Sequence, residues 1–171
     1  MKNIILTGFM GTGKTVVGKE LSDILSMKLI DVDSEIEKSC GMKIGDIFRD
    51  LGEEQFRNIE TEMIRKIANE RHSIISTGGG AVIREENMQV LRENGIIFCL
   101  CAGPGTVLKR TARSSERPLL KVDDPMKKII DLMYYRKPFY EKAGIMIDTE
   151  NKNPLQIAEE IAEIYNAEVE G

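Results

Sequence analysis

Residues 8 to 15 carry the clearest chemical signal in the sequence. They read Gly-Phe-Met-Gly-Thr-Gly-Lys-Thr, the pattern G-x-x-x-x-G-K-T, and follow directly on the apolar run 3–7. Glycines let a backbone curl tightly enough to aim several N–H groups at one polyphosphate, and a helix that begins there adds its positive N-terminal end. The pattern therefore predicts a phosphate-binding loop between a strand and a helix.

The residues of this loop have separate predicted tasks. Lys14 can reach the β- and γ-phosphates of a nucleotide, and the Thr15 hydroxyl can bind Mg²⁺. We expect the phosphates to lie against the backbone of Gly11, Thr12 and Gly13. The loop predicts nucleotide binding, but kinases, switches and motors all share it.

Two aspartates follow the next apolar run. Asp31 and Asp33 end a predicted strand over 28–33, and side chains two apart on a strand point the same way. Two like charges at the carboxyl end of a strand are unfavourable unless a cation or substrate hydroxyls share them, and ligands bind at that edge of open α/β sheets. Alternatively, Asp33 caps a helix that begins at Ser34.

Arg57 lies on a predicted helix over about 53–69, at the edge of its apolar stripe. Periodicity alone favours a solvated arginine that pairs with Glu53 or Glu60. Residues 34–52, which precede this helix, are interrupted by glycines and predict short helices. The inward stripe of the long helix consists of Phe56, Ile59, Met63, Ile64 and Ile67.

Three consecutive glycines follow the predicted strand 73–77. Gly78, Gly79 and Gly80 leave the backbone open to close approach, at the same sheet edge as the phosphate loop. A flexible turn is the alternative interpretation, although no turn requires three glycines.

A polar, basic segment at 111–120 follows the helix that Pro104 opens. Loops of this length inside compact α/β domains are often lids, so Arg117 is a candidate for delivery to the phosphates on closure. A disordered surface loop is the alternative interpretation.

The chain as a whole alternates between strands and helices. This alternation predicts an α/β fold of three layers around a five-stranded parallel sheet, of the P-loop type. Pro138 should bend or restart a helix over 125–142, and another helix is predicted at 85–94. The strands are predicted at 3–7, 28–33, 73–77, 96–101 and 145–149. The last helix begins near Pro154, and its inward residues are predicted to be Leu155, Ala158, Ile161, Ala162 and Tyr165.

Size and composition exclude several classes of protein. The 171 residues fit one domain, 1–171, and a net charge of −4 gives no basic field for nucleic acid. No run approaches the roughly 18 apolar residues of a membrane span, so we expect no membrane partner and a cytoplasmic location. Cys99 and Cys101 are expected to be buried, inert thiols, because nothing basic adjoins them in sequence. Since His72 is the only histidine, a general base is expected to be a carboxylate.

Sequence patterns also argue against a GTPase switch and favour a kinase. The chain contains no D-x-x-G, and the guanine-reading N-K-x-D appears only as Asn-Lys-Asn-Pro at 151–154. Adenine is therefore the better prediction for the base. Thr-Gly-Gly-Gly at 77–80 occupies the place where an ATPase keeps its second Mg²⁺-binding carboxylate. The carboxylates at 31 and 33 lie instead beside the place where a phosphoryl acceptor would bind.

The sequence resembles the shikimate kinase family in motifs that run in the family's order through nearly the whole chain. The phosphate loop alone is widely shared, but its combination with TGGG and RPLL is highly specific. The matching segments are GFMGTGKT at 8–15, DVD at 31–33, GEEQFR at 52–57, TGGG at 77–80, ERPLL at 116–120 and YYRKPFYE at 134–141.

The resemblance implies transfer of the γ-phosphoryl group of ATP to the 3-hydroxyl of shikimate, a step toward chorismate and the aromatic amino acids. It implies that Asp33 binds the acceptor hydroxyls and can take the proton of the attacking one. Arg57 and Arg136 would grip the shikimate carboxylate, a task that suits the fork of a guanidinium group. The glycines at 78–80 would offer backbone contacts to the ring.

For the nucleotide, the resemblance implies that Lys14 and Arg117 neutralise charge on the transferred phosphoryl group. Thr15 is similar to the family's direct Mg²⁺ ligand, and Asp31 would act on the metal through water.

The resemblance further implies that Arg110 and the loop before Pro154 hold the adenine. It implies a shikimate-binding segment at about 33–61, a lid at about 112–124, and a monomer. Two rival functions stay open. One is a small kinase of the same fold that acts on gluconate or a nucleoside monophosphate, and the other is an ATP-binding regulatory module without catalysis.

Overall fold

The structure, a computed structural model, describes residues 2–112, 120 and 122–170. Arg117 and most of the predicted lid at 112–124 lie outside the described residues, so their predicted roles stay predictions. None of the helices in the described part of the chain is long and apolar enough to cross a membrane.

A parallel five-stranded sheet lies at the centre of the protein. Its strands are β1 Asn3–Gly8, β2 Lys28–Asp31, β3 Ser73–Ser76, β4 Gly95–Cys101 and β5 Ile145–Asp148. They lie in the order β2-β3-β1-β4-β5, and Ile5 on β1 pairs with Ile75 on β3 and with Ile97 on β4. Every residue of β1 is buried, as expected for a parallel strand that is covered on both faces.

Helices cover both faces of this sheet. The apolar side chains of one face pack with α1 and α7, as Leu6, Leu21 and Ile161 do, and those of the other face pack chiefly with α3, α4 and α6. The predicted three-layer α/β/α class is therefore confirmed. The helices of the described residues are α1 Lys14–Leu25, α2 Val32–Cys40, α3 Ile44–Ala68, α4 Glu85–Asn94, α5 Pro104–Thr111, α6 Pro125–Glu141 and α7 Pro154–Glu170.

The strand before the two aspartates is shorter than predicted. β2 ends at Asp31 and α2 begins at Val32, so Asp33 lies in the first turn of a helix. The Asp31 carboxylate accepts a hydrogen bond from the backbone N–H of Ser34 at 3.0 Å, which satisfies an N–H that the helix itself leaves unpaired. The expectation that both carboxylates project from one strand is therefore wrong, and the capping residue is Asp31, not Asp33.

Two potential helix breakers behave differently. Gly52 interrupts α3 with φ 83° and ψ 167°, so the part of α3 beyond it corresponds to the helix predicted from about residue 53. A positive φ of this kind is accessible to glycine without strain. Pro138, in contrast, lies inside α6, and the helix continues through it to Glu141 without restarting.

The cysteines follow their predicted environment only in part. Cys99 is buried as predicted, and burial raises the pKa of its thiol to about 12, which disfavours the reactive thiolate. Cys101 is only half-buried, and its thiol donates a hydrogen bond to the Ile147 carbonyl at 3.2 Å. None of the three cysteines forms a disulfide.

The inward face of α7 is shifted from the predicted one at a single position. Leu155 is 45 % exposed, whereas Ile157 is 2 % exposed and packs in the core. Ala158, Ile161, Ala162 and Tyr165 are buried as predicted. The prediction placed Leu155, the second residue of α7, in the core. The first residue of the helix that is buried in the core is Ile157, two positions later.

The different burial of Leu155 and Ile157 predicts that alanine at these two positions lowers the free energy of unfolding by different amounts. Ile157→Ala should lower the free energy of unfolding by about 2–5 kcal/mol, because it leaves a cavity in the core. Leu155→Ala, the matched control, should change it by no more than about 1 kcal/mol. Urea unfolding followed by circular dichroism measures both values, and similar losses in the two variants would contradict the burial assigned to Ile157.

Candidate active site

The phosphate loop connects β1 to α1 through three glycines with positive φ. These are Gly8 at 134°, Gly11 at 75° and Gly13 at 99°, and α1 begins directly after Gly13 at Lys14. A Cβ at Gly8 would collide with the Leu100 carbonyl on the neighbouring strand. The loop therefore needs glycine for its backbone conformation and, at Gly8, also for the close packing of β1 against β4.

Lys14 lies over the mouth of this loop. Its ammonium group donates hydrogen bonds to the carbonyls of Gly8 at 2.8 Å and Phe9 at 3.0 Å. Because α1 begins at the same residue, the positive end of the helix and the lysine charge lie at one place. This arrangement favours an anion such as a phosphate group.

Thr15 and Asp31 meet at the edge of the loop. The Thr15 hydroxyl lies 3.1 Å from Oδ2 of Asp31, and Oδ1 of the same carboxylate accepts the cap hydrogen bond from Ser34. These are oxygen donors, the kind that Mg²⁺ prefers, and Mg²⁺ commonly keeps several waters and binds phosphates as well. The described residues contain no cluster of three or more acidic, histidine or cysteine side chains that could hold a metal ion.

An open cavity of about 400 Å³ lies in front of the loop. It brings together segments that are far apart in sequence, since it is bounded by the loop, the ends of β2 and β3, and the start of α7. Of the residues predicted from sequence, the cavity is lined by Gly11, Thr12, Gly13, Lys14, Thr15, Asp31, Asp33, Gly78, Gly79, Arg110 and Pro154.

Arg110 closes one side of this cavity. Its guanidinium donates to the Thr149 hydroxyl at 3.1 Å and to the Thr149 carbonyl at 3.2 Å, and it lies 3.4 Å from the carbonyls of Gly11 and Thr12. Arg110 therefore joins the phosphate loop to the segment between β5 and α7. Lys152 also lines the cavity, although the sequence analysis gave it no role.

Arg57 is buried, which overturns the expectation of a solvated side chain. Only 8 % of Arg57 is exposed, and its Nη1 lies 2.6 Å from Oε2 of Glu60. Its guanidinium also lies 4.9 Å from the centre of the Phe56 ring, at a distance that allows a cation–π contact. The predicted pairing with Glu60 is present, but it occurs inside the protein.

Glu60, predicted from sequence only as an ion-pair partner of Arg57, is a buried residue of the site. Its side chain is 0 % exposed, and burial raises the pKa of its carboxyl, although the Arg57 guanidinium acts in the opposite direction. The spacing of three residues from Arg57 on one helix is the sequence signal that pointed to the contact. Helical periodicity could not show that the pair is enclosed by α3 and the glycine turn.

Arg136 belongs to the same buried cluster. It is 3 % exposed, its guanidinium lies 5.8 Å from the centre of the Phe9 ring, and its charge acts on both Glu60 and Tyr140, as the charge of Arg57 does. The structure thus brings the predicted arginines of α3 and α6 together. We refer to Arg57, Glu60 and Arg136 as the arginine cluster.

The glycine turn at 78–80 packs against both halves of the site. A Cβ at Gly78 would lie 2.8 Å from Oε1 of Glu60 and 2.9 Å from Oδ1 of Asp33, and one at Gly79 would lie 3.2 Å from the backbone N of Met10. A Cβ at Gly80 would overlap the Arg57 guanidinium. The prediction that other groups approach the backbone closely at these three glycines is confirmed.

Comparison with known proteins gives one consistent result. Residues 10–166 match the family model described as shikimate kinase. The chain is 48 % identical over 165 residues to the shikimate kinase of Thermodesulfovibrio yellowstonii, with 96 % of this chain and 95 % of that protein covered. It is 44 % identical over 165 residues to that of Caldanaerobacter subterraneus, with 96 % of each covered. The structure is similar to a shikimate kinase from Acinetobacter baumannii in complex with shikimate, with a TM-score of 0.95, 34 % identity, and 98 % and 94 % of the two chains covered.

The burial of the ion pair between Arg57 and Glu60 predicts that replacing Glu60 lowers the free energy of unfolding much more than replacing Glu53, the other glutamate near Arg57. Glu60→Ala should lower the free energy of unfolding by about 3–5 kcal/mol, because it leaves a buried guanidinium without its partner. Glu53, whose side chain is 54 % exposed, lies 3.5 Å from Nη2 of Arg57, and Glu53→Ala should lower it by no more than about 1 kcal/mol. Urea unfolding at neutral pH tests both, and an equal effect of the two would contradict the enclosure of Glu60.

Proposed function

The chain belongs to the shikimate kinase family, and we propose that it transfers the γ-phosphoryl group of ATP to the 3-hydroxyl of shikimate. The products are shikimate 3-phosphate and ADP, on the route to chorismate and the aromatic amino acids. One observation carries the proposal: a phosphate loop and a buried pair of arginines meet at the same edge of the sheet, on either side of Asp33 and the glycine turn.

We propose that ATP binds with its phosphates against Gly11, Thr12 and Gly13 and its adenine near Arg110 and Pro154. The support is the cavity that these residues line together in front of the loop. Because the phosphate loop, Arg110 and Pro154 line one cavity, a single ligand can contact all of them.

We propose that Thr15 holds Mg²⁺ directly and that Asp31 holds it through water. The adjoining oxygens of these two side chains, 3.1 Å apart, support this assignment. When bound, Mg²⁺ neutralises part of the negative charge on the phosphates.

The arginine cluster is proposed to bind the carboxylate of shikimate. Two guanidinium groups are buried with Glu60, whose own ionised form is disfavoured by burial. The Nε atoms of Arg57 and Arg136 are also buried, and neither has a hydrogen-bond partner among the described residues. Buried donors and excess positive charge are compensated by an anion, and a carboxylate matches the planar fork of arginine.

Asp33 is proposed to receive the proton of the attacking hydroxyl. It is half-buried at the start of α2 and lines the cavity beside Gly78 and Gly79. In the reaction the 3-hydroxyl oxygen bonds to the γ-phosphorus, the bond from that phosphorus to the bridging oxygen of ADP breaks, and the proton passes to Asp33. Lys14, and Arg117 from outside the described residues, are proposed to stabilise the charge of the transferred group.

We also propose that the protein acts as a monomer in the cytoplasm. All the residues assigned to the site belong to one chain, so a second copy is not required to complete it. Gluconate and a nucleoside monophosphate also carry an anionic group that arginines can bind. Membership of the shikimate kinase family is what favours shikimate over these two acceptors.

The first test measures which acceptor is phosphorylated. The protein with ATP and Mg²⁺ should release ADP when shikimate is added, and not with gluconate, AMP or CMP. Lys14→Ala should abolish the release, whereas Lys19→Ala, on the exposed side of α1, should leave it unchanged. Turnover with another acceptor would overturn the assigned roles of Arg57 and Arg136, and no turnover with any of them would favour a regulatory module.

The second test addresses the proton acceptor. Asp33→Asn should retain ATP binding but lower kcat by about two orders of magnitude or more, because the amide cannot take the proton. Asp23→Asn, on the exposed side of α1, is the matched control and should keep the wild-type rate. Steady-state assays with saturating shikimate measure both, and a near wild-type kcat for Asp33→Asn would remove Asp33 from this role.

A further inference from the structure

Tyr140 makes a contact in the site that neither the motifs nor the proposed mechanism uses. It lies on α6 one helical turn after Arg136, and it is buried. Its hydroxyl donates a hydrogen bond to the backbone carbonyl of Gly79. The contact joins α6, which carries one arginine of the arginine cluster, to the glycine turn, which packs against the other.

The bonded carbonyl belongs to the peptide group between Gly79 and Gly80. That peptide is trans, and in a trans peptide the C=O and the N–H point in opposite directions. The hydrogen bond from Tyr140 therefore turns the N–H of Gly80 away from the Tyr140 hydroxyl. None of the hydrogen bonds among the described residues uses the Gly80 N–H, and Gly80 is buried beside the Arg57 guanidinium. A buried N–H without an acceptor is unfavourable, so an acceptor atom of a ligand would stabilise it.

The conformation of the glycine turn does not by itself fix the orientation of the peptide plane between Gly79 and Gly80. With glycine on both sides, no Cβ hinders a rotation of the peptide plane that would exchange the positions of the C=O and the N–H. The neighbouring backbone bonds, from Ala81 N to the Gly78 carbonyl at 3.2 Å and from Ile83 N to the Gly80 carbonyl at 3.1 Å, hold the peptides on either side. The phenol of Tyr140 is thus the hydrogen-bond donor that selects one orientation of the plane between Gly79 and Gly80.

We propose that Tyr140 is a positioning residue for the acceptor, whose hydroxyl fixes the peptide between Gly79 and Gly80 so that the Gly80 N–H faces shikimate. This inference rests on the proposed function and assigns to that site a determinant of acceptor affinity. The cavity proposed for ATP is lined by Gly78 and Gly79 but not by Tyr140, so we expect ATP binding not to depend on Tyr140.

The chemistry of the phenol suits this role. Burial raises the pKa of Tyr140 to about 12, although the charge of Arg136, a hydrogen bond with Arg136 and the charge of Arg57 act in the opposite direction. The hydroxyl therefore keeps its proton at neutral pH and remains a donor to the carbonyl. Replacement by phenylalanine removes the hydrogen bonds of the hydroxyl to Gly79 and Arg136 and keeps the ring, which belongs to the same core cluster as Phe9 and Cys99.

The test compares Tyr140→Phe with wild-type protein. The KM for shikimate, and its dissociation constant measured by calorimetry, should rise about 3- to 10-fold, the range expected for one neutral hydrogen bond. The KM for ATP should stay within about twofold of the wild-type value, and the melting temperature should fall by no more than about 4 °C. Tyr135→Phe is the matched control, because Tyr135 is exposed on the same helix, and it should change none of these quantities.

A second measurement separates positioning from a general loss of structure. In wild-type protein labelled with ¹⁵N, shikimate should shift the amide resonance of Gly80, and this shift should shrink in Tyr140→Phe. An unchanged KM for shikimate and an unchanged Gly80 shift, or equal increases of both KM values, would overturn the inference while leaving the proposed function in place. Failure of the wild-type protein to bind shikimate would overturn both.

Discussion

The burial of two guanidinium groups at the carboxyl edge of the sheet is the constraint on which the acceptor half of the site depends. Arg57 and Arg136 are enclosed with Glu60, whose ionised form is itself disfavoured by burial. Charges in such surroundings are stable only when partners of opposite sign and hydrogen-bond acceptors lie close by. The protein supplies part of this compensation through Glu60 and the aromatic faces of Phe9 and Phe56, and the remainder is available for an anionic ligand.

The glycine turn connects the arginine cluster to the phosphate loop, because it packs against both. Gly79 packs against the phosphate loop at Met10, Gly78 against Asp33 and Glu60, and Gly80 against Arg57. A side chain at any of the three glycines would displace the groups that now pack against the turn. The turn therefore sets the separation between the phosphate loop and the arginine cluster, because backbone without side chains can approach more closely than any side chain allows.

The sequence predicted the elements of the fold well because their signals are local. Strand and helix periodicities, the glycines of the phosphate loop and the prolines that open α5, α6 and α7 all act within a few residues. The errors occurred where two local tendencies compete. At residues 31–33 a strand and a helix cap were both possible, and the cap at Asp31 shortened the strand. In the first turn of α7, Ile157 rather than Leu155 faces the core.

The sequence by itself determined the phosphate loop, the alternation of strands and helices, and, through its motifs, the family. Only the tertiary structure decided that Arg57 is buried, that Glu60 is enclosed beside it, and that Tyr140 bonds to the glycine turn. The physical reason is the separation in sequence of the residues that interact. A loop that binds phosphate is built by neighbouring residues, whereas burial and charge compensation depend on side chains from α3, α6 and the turn after β3, which the chain brings together only when it folds.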